Sequence, residues 1–162
     1  MQANLKIVRA QTTDAEDITA LTIRSKAYWN YPKEQIEQWR SELTISAKYI
    51  EAHQVFKLVK GKVLLGFYTY QAQNNSEVKL NFFFVEPAYI GKGYGKLLML
   101  DFLERMGESD FKYISVDADP NAEVFYSKMG FQVIGQLESA IKDRFLPIMG
   151  KVVSPKSKAD SL

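Results

Sequence analysis

A glycine-rich stretch between two hydrophobic runs constrains the fold of this chain more than any other feature. Residues 85–98, VEPAYIGKGYGKLL, hold Gly91, Gly93 and Gly95 at alternate positions, after an aromatic run and before a leucine-rich run. Alternate glycines allow backbone N–H groups to converge, and the positive end of a following helix dipole adds to them. The stretch therefore predicts a phosphate-binding turn at residues 91–96, here called the glycine turn. A glycine-rich helix start without a ligand is the alternative.

Two common phosphate-binding motifs do not match the glycine turn. The nucleotide P-loop has four residues between its glycines and then Gly-Lys-Ser/Thr, whereas residues 91–97 read GKGYGKL. The dinucleotide motif is GxGxxG early in a parallel βαβ unit. This chain has GxGxG, and the strand before it closes a predicted antiparallel meander, because three β-rich segments are joined by short turns. The phosphate would therefore belong to another kind of ligand.

Hydrophobic periodicity and turn residues predict the remaining elements. Thr13 and Glu16 have the spacing of a capping box, so the first helix is expected to begin at Asp14. We predict strands at residues 5–10, 54–60, 63–73, 77–85, 113–118, 131–139 and 145–153, and helices at 14–28, 32–43, 46–52, from the glycine turn to 107, and at 119–130.

Composition argues against several classes of protein and of site. The 162 residues fit one domain, and a net charge of +2 argues against nucleic-acid or membrane-surface binding. The absence of cysteine excludes disulfides and thiolate metal sites, and the single histidine, His53, argues against a zinc site. No apolar run approaches the roughly 20 residues that span a bilayer, and no signal-peptide pattern is present. We therefore expect a cytoplasmic protein.

A second motif, NAEVFYSKMGF, occupies residues 121–131. By itself it reads as a short helix with a core stripe, because Phe125, Tyr126 and Met129 recur at helical spacing. In that interpretation Tyr126 is only a buried aromatic side chain. The glycine turn and this motif together support another interpretation.

The pair of motifs resembles a known family. V-x-P-x-x-x-G-x-G-x-G at a strand end, followed about thirty residues later by N-A-x-x-F-Y-x-x-x-G-F, is similar to the GNAT superfamily of acyl-CoA N-acyltransferases. The order of the predicted elements also matches that fold. The resemblance implies an α+β domain at residues 1–153, with a mixed, mostly antiparallel central sheet of about seven strands and helices on both faces. The polar residues 154–162 are expected to be a disordered tail.

The resemblance implies a coenzyme A site. Backbone N–H groups of the glycine turn would bind the pyrophosphate. The strand end before it would pair with pantetheine, and a backbone N–H there would polarise the thioester carbonyl. Ile90 stands where the family motif has Arg or Gln, and a backbone-mediated grip survives that change. The implied residues are Phe83, Phe84, Val85, Ile90, Gly91, Lys92, Gly93, Tyr94, Gly95, Lys96, Asn121 and Tyr126.

The resemblance also implies catalytic roles. Tyr126 would lie at the thioester sulfur as general acid, and Asn121 beside the pantetheine. Many relatives carry a glutamate where this chain has Lys79, so the base must be another group. Asn81 could orient a water molecule and Glu77 could accept its proton, since both lie on the strand face of Lys79. Glu86 is another candidate, and a solvated strand residue is the alternative for each.

The acceptor side and the activity complete these expectations. The resemblance implies that Tyr28, Trp29 and Tyr31, between the first two helices, border an amine pocket. We expect transfer of an acetyl group from acetyl-CoA to a primary amine of a small or amino-acid-like molecule. No metal, nucleic acid or membrane is expected to take part, and a homodimer is common for this fold. A non-catalytic coenzyme-A-binding module and an enzyme for a longer acyl donor are the alternatives.

Overall fold

The computed structural model of the protein describes residues 4–139 and 144–155. Its strands form one mixed sheet in the order β1-β2-β3-β4-β5-β7-β6, which confirms the predicted α+β fold and seven strands. The strands are β1 Leu5–Arg9, β2 Gln54–Lys60, β3 Val63–Ala72, β4 Glu77–Val85, β5 Tyr113–Asp117, β6 Gln132–Glu138 and β7 Phe145–Val152. The helices are α1 Ala15–Ala27, α2 Lys33–Leu43, α3 Ala47–Ala52, α4 Tyr94–Gly107 and α5 Glu123–Lys128.

Strand direction follows from the connections. β4 and β5 pair in parallel, and the helix α4 lies between them in sequence, as a parallel pair requires. β1 with β2, β5 with β7, and β6 with β7 are antiparallel. The predicted tail falls largely on residues 156–162, outside the described residues, and the single domain at 1–153 stays a prediction.

The predicted start of α1 is wrong in detail. A short 3-10 turn, Thr12–Asp14, precedes the helix, and Thr13 and Glu16 form no capping box. The capping box is instead formed two residues earlier by Gln11 and Asp14, and the Asp14 carboxylate accepts the backbone N–H of Gln11 at 2.8 Å. The other Asp14 oxygen accepts from Lys57 Nζ at 3.0 Å, which fixes the aspartate in this position.

The chain divides into two compact units, and the first comprises Met1–Thr69 with Phe82–Leu98. Its core is apolar, as the periodicity of α1 predicts. Buried members are Ala10, Ile18, Leu21, Ile45, Ile50, Val55 and Phe67. Ser46 caps α3 by accepting the N–H of Tyr49 at 3.0 Å, and the Tyr49 hydroxyl bonds to Thr69 at 2.9 Å.

One glycine of the first unit permits a close approach. A Cβ on Gly66 of β3 would lie 2.8 Å from the Phe84 carbonyl oxygen and 2.8 Å from a methyl of Leu98. Real Cβ atoms do not approach so closely, so only glycine allows β4 and the start of α4 to pack here. The end of β4 is thereby held against β3, and the N–H of Glu86 donates to Leu65 O at 2.8 Å.

The second unit comprises Tyr70–Asn81 with Met99–Leu162. Strand register places alternate residues on two faces of its sheet. One face is buried and carries Val78, Leu80, Ile114, Val116 and Met149. The other, here called the polar face, carries Glu77 and Lys79 of β4 and Tyr113, Ser115 and Asp117 of β5, all half-buried.

Candidate active site

The glycine turn has the backbone conformation that its sequence predicts. Gly91 and Gly93 have φ of 90° and 84°, in the region that favours glycine. No heavy atom lies within 4 Å of a Cβ built on either residue, so both face open space. Gly95 was expected to share this role, but it lies within the first turn of α4. Two glycines therefore shape the turn, and the third lies in the first turn of the helix.

Hydrogen bonds within the turn show which N–H groups are already used. Ile90 N–H donates to Pro87 O at 3.2 Å, and Lys92 N–H donates to Tyr89 O at 3.2 Å. The first bond of α4 runs from Leu97 N–H to Gly93 O at 3.1 Å. The N–H groups of residues 94–96 precede that bond, so they lack an acceptor within the helix. An anion at this helix start would meet them and the positive end of the dipole.

The end of β4 leads into the glycine turn. Phe83, Phe84 and Val85 are half-buried, and Glu86 follows them. The Glu86 carboxylate accepts from Arg24 Nε at 3.0 and 3.1 Å, with the Glu86 side chain 16% exposed and that of Arg24 53% exposed. Glu86, a candidate base from sequence, is thus a partner of Arg24, and it ties the last turn of α1 to the strand end.

The aromatic residues after α1 separate into two groups. Tyr28 and Trp29 are 49% and 43% exposed, and their rings meet edge to face with centroids 5.0 Å apart. Tyr31 instead packs edge to face on Trp39 at 4.9 Å. Lys26 Nζ lies over both of these rings, 5.4 Å from Tyr31 and 5.1 Å from Trp39. Tyr28 and Trp29 therefore present an accessible aromatic surface, while Tyr31 belongs to the packing of α2.

Tyr126 lies in the second unit, on α5. It is 5% exposed, and its ring meets those of Phe125 and Phe131 at centroid distances of 5.5 Å each. Burial raises the pKa of the Tyr126 phenol well above its ordinary value, and the negative charge of Asp119 raises it further. The phenol therefore keeps its proton throughout the physiological pH range and can donate a hydrogen bond.

Asp119 organises the residues before α5. Its carboxylate accepts the backbone N–H of Asn121 and the Asn121 side-chain amide, both at 2.9 Å. Arg144 lies 3.5 Å from the same carboxylate. The 3-10 turn Pro120–Ala122 begins at this aspartate, so the position of Asn121 is fixed by it. Asp119 therefore caps this 3-10 turn with its side chain.

The candidate base residues lie on and after the polar face of the second unit. The Glu77 carboxylate accepts from Ser115 Oγ at 3.4 Å. Lys79 Nζ lies 2.7 Å from Asp117 Oδ2, so the lysine is held by a carboxylate of the next strand. Asn81, the next residue of β4 on the Lys79 side, is half-buried. The base roles of Glu77 and Asn81 stay predictions.

Sequence reasoning missed three charged residues that structure these regions. Arg24, Asp117 and Arg144 each pair with a residue distant in sequence. Capping motifs and hydrophobic periodicity involve only residues that are close in sequence. They could therefore not reveal the pairs that these three residues form. Within residues 4–139 and 144–155, no group of three or more His, Cys, Asp or Glu side chains could hold a metal ion. None of the helices in these ranges has the length and apolar character needed to cross a membrane.

Curated proteins include one similar relative. The chain is 26% identical over 90 residues to ycf52 of Gracilaria tenuistipitata var. liui, described as an uncharacterized N-acetyltransferase. The alignment covers 56% of this chain and 50% of that protein, so it spans half the length of the curated relative.

Solved structures share the fold. The PaiA N-acetyltransferase of Thermoplasma acidophilum, in complex with coenzyme A, has a TM-score of 0.76 and 21% identity, over 91% of this chain and 98% of that one. The ribosomal-protein-S18-alanine N-acetyltransferase of Escherichia coli has a TM-score of 0.70 and 17% identity, over 95% and 97%. The family model for the acetyltransferase (GNAT) domain matches residues 14–147. The chain therefore belongs to the GNAT acetyltransferase family.

Proposed function

We propose that this protein transfers an acetyl group from acetyl-CoA to the primary amine of a small or amino-acid-like molecule. The glycine turn carries the proposal: two open glycines with positive φ lead into α4, in a chain of the GNAT family. A neighbour in fold was crystallised with coenzyme A, which supports the same cosubstrate here.

The glycine turn supplies the grip on the cosubstrate. Its free N–H groups at residues 94–96 and the helix dipole of α4 favour a diphosphate. Lys92 and Lys96 are exposed and add positive charge. Phe83, Phe84 and Val85 would bind pantetheine through their backbone, and Asn121 would contact it through a side chain that Asp119 fixes. When bound, acetyl-CoA supplies an acetyl thioester.

Tyr126 assists departure of the sulfur. A C–N bond forms between amine and acetyl carbon while the C–S bond breaks, and the electron pair of that bond stays on sulfur. The attacking nitrogen then loses its second proton to water, and the thiolate takes up one from water, which gives the amide and the free thiol. The phenol is protonated at neutral pH, and its raised pKa makes it a weaker acid than an exposed tyrosine, so it would donate a hydrogen bond to that developing negative charge and keep its proton. A backbone N–H at the end of β4 would stabilise the negative charge on the carbonyl oxygen.

The amine must lose a proton before it attacks. An alkyl amine of pKa about 10.4 is neutral in about 0.04% of molecules at pH 7, a cost of about 4.6 kcal/mol. Asn81 and Glu77 are our candidates for moving that proton through water, since both lie on β4 and the Glu77 carboxylate is half-buried. Tyr28 and Trp29 present exposed rings that would border the amine pocket.

Release of free thiol from acetyl-CoA with a panel of amines tests the proposal. We expect turnover by the natural sequence, and a kcat lower by about tenfold or more in Tyr126→Phe, the usual effect of a lost hydrogen bond to a charged group. Tyr68→Phe is the matched control, because Tyr68 is a fully buried tyrosine of the first unit with no proposed role. It should keep kcat within about twofold of the natural value, as expected for a side chain outside the chemistry.

Three outcomes separate the alternatives. Coenzyme A binding without thiol release on any amine would favour a non-catalytic binding module. A larger thermal stabilisation by succinyl-CoA than by acetyl-CoA would favour a longer acyl donor. Equal kcat values for Tyr126→Phe and Tyr68→Phe would remove Tyr126 from the mechanism and leave the transferase activity in place.

A further inference from the structure

The polar face of the second unit holds an ion pair in a half-buried setting. Lys79 and Ser115 are partners across β4 and β5, and Asp117 is the next β5 residue on the same face. Lys79 Nζ and Asp117 Oδ2 are 2.7 Å apart, and their side chains are 33% and 26% exposed. A ligand can therefore reach both charges, while the partial exclusion of water strengthens their electrostatic interactions.

The arrangement of the two charges limits which ligands can bind. A simple ammonium that approaches Asp117 also approaches the Lys79 ammonium, which repels it. A simple carboxylate that approaches Lys79 meets the same difficulty from Asp117. A ligand that carries both groups can place its ammonium against Asp117 and its carboxylate against Lys79. Each of the four charged groups then has an opposite charge beside it. The pair is therefore complementary to a zwitterion.

Apolar side chains border the ion pair on the same face. Ile148 of β7 is the cross-strand partner of Asp117, and Leu146 is the next β7 residue on that face. Leu137 of β6 pairs with Leu146 and is 41% exposed. These three side chains continue the polar face as an accessible apolar strip. An apolar group attached to a zwitterionic head would lie along it and lose contact with water.

We infer that Lys79 and Asp117 recognise an acceptor with an ammonium and a carboxylate on one carbon, and that Leu137, Leu146 and Ile148 receive its apolar side chain. The acceptor class is thus an apolar amino acid, with its ammonium on Asp117 and its carboxylate on Lys79. The inference rests on the proposed N-acetyltransferase function and narrows its acceptor. The inference predicts that the protein prefers an amino acid to the amine that lacks its carboxylate.

A comparison of leucine, leucine methyl ester and 3-methylbutylamine tests this recognition. The three share the apolar group and the primary amine, and only leucine has the carboxylate. We expect kcat/KM for leucine to exceed that for the other two by about tenfold or more, the usual effect of one charge-assisted contact. Equal kcat/KM values for all three would overturn the inference, whereas absence of thiol release with every amine would overturn the proposed function.

Variants of the pair sharpen the test. Lys79→Met should lower kcat/KM for leucine to the level of the ester, and Lys79→Arg should restore most of it because the charge returns. Arg105→Met is the matched control: it breaks the Arg105–Asp101 pair on α4, which has a 2.9 Å separation and comparable exposure of 38% and 22%. The control should keep the preference for leucine. A preference unchanged in Lys79→Met would overturn the inference.

Direct binding gives an answer that does not depend on turnover. Isothermal titration calorimetry of leucine, with coenzyme A present, should show a Kd raised about tenfold in Lys79→Met and in Asp117→Asn, again the effect of one charged contact. Thermal stabilisation by coenzyme A, equal in all variants, shows that each is folded. No detectable binding of leucine to the natural sequence would overturn the inference.

Discussion

Tyr126 is the residue whose titration the fold changes most clearly. A phenol in an unfolded chain ionises near pH 10, and burial raises the pKa in the folded state. Above that pH the unfolded chain releases a proton that the folded chain retains, so the unfolding free energy falls as pH rises. Below about pH 10 both states hold the proton and Tyr126 contributes no pH dependence.

The raised pKa of Tyr126 predicts how the free energy of unfolding changes at alkaline pH. Urea unfolding between pH 8 and pH 11 should show a steeper loss of unfolding free energy for the natural sequence than for Tyr126→Phe, which has no proton to lose. The other tyrosines titrate in both proteins and cancel in the difference. If the unfolding free energies of the two proteins fell equally with pH, the phenol would be more accessible to water than its 5% exposure indicates.

Gly66 gives a second residue-scale prediction. Gly66→Ala should lower the unfolding free energy by about 1–3 kcal/mol, because its Cβ would press on the Phe84 carbonyl and on Leu98. The displaced strand end should also raise KM for acetyl-CoA. Gly61→Ala is the control, since open space surrounds Gly61 and only its φ of 61° is strained. An unchanged KM for acetyl-CoA in Gly66→Ala would show that the position of the β4 end does not affect cosubstrate binding.

Among the elements, α1 is joined to the residue that follows β4 by an ion pair. Arg24 and Glu86 are 62 residues apart in sequence and hold the last turn of α1 against the strand end. Arg24 is half-exposed, so the pair contributes at most about 1 kcal/mol to stability. We expect this pair to orient Tyr28 and Trp29, which follow α1 directly.

A double-mutant cycle tests this role. Arg24→Gln and Glu86→Gln should each raise KM for the amine by a similar factor, and the double variant should add little, because one contact is lost in every case. Glu37→Gln, which breaks an exposed pair with Arg40 on α2, is the control. If Glu86 were the general base, Glu86→Gln would lower kcat far more than Arg24→Gln does.

Local chemistry explains which elements the sequence could predict. The short turn between β3 and β4 was predicted, and the Asn74 side chain within it accepts the N–H groups of Ser76 and Glu77 at 2.8 Å each. Gly91 and Gly93 likewise have the predicted positive φ. The capping of α1 was missed because the competing Asp14 depends on Lys57, 43 residues away, and no local pattern shows that contact.

For the molecule as a whole, the fold was predictable and the charge pairs were not. The order of strands and helices is set by periodicity and turns, which are properties of short segments. The Lys79–Asp117 and Arg144–Asp119 pairs arise only when the sheet of the second unit brings distant strands together. We propose that residues of this kind select the acceptor, so sequence alone could give the class of enzyme and not its substrate.

The homodimer expected from the resemblance stays a prediction, and β6 offers a place for it. β6 is an edge strand of the sheet, and Val133 and Ile134 on it are 50% and 55% exposed. An open edge with apolar side chains can pair with a second copy. Ile134→Lys should then convert a dimer to a monomer in sedimentation velocity, whereas Val63→Lys, at another exposed position, should not. A monomeric natural sequence would contradict the prediction.

The division of the chain into two units leads to a prediction about its synthesis. Each unit combines two separate stretches, so the first cannot be completed until residue 98 has left the ribosome, and the second also needs the stretch at 70–81. A nascent chain that ends before residue 82 therefore holds neither unit whole and exposes apolar strands to chaperones. Chains truncated at either end should aggregate. An N-terminal and a C-terminal fragment that together make up the chain should be soluble only when they are expressed together.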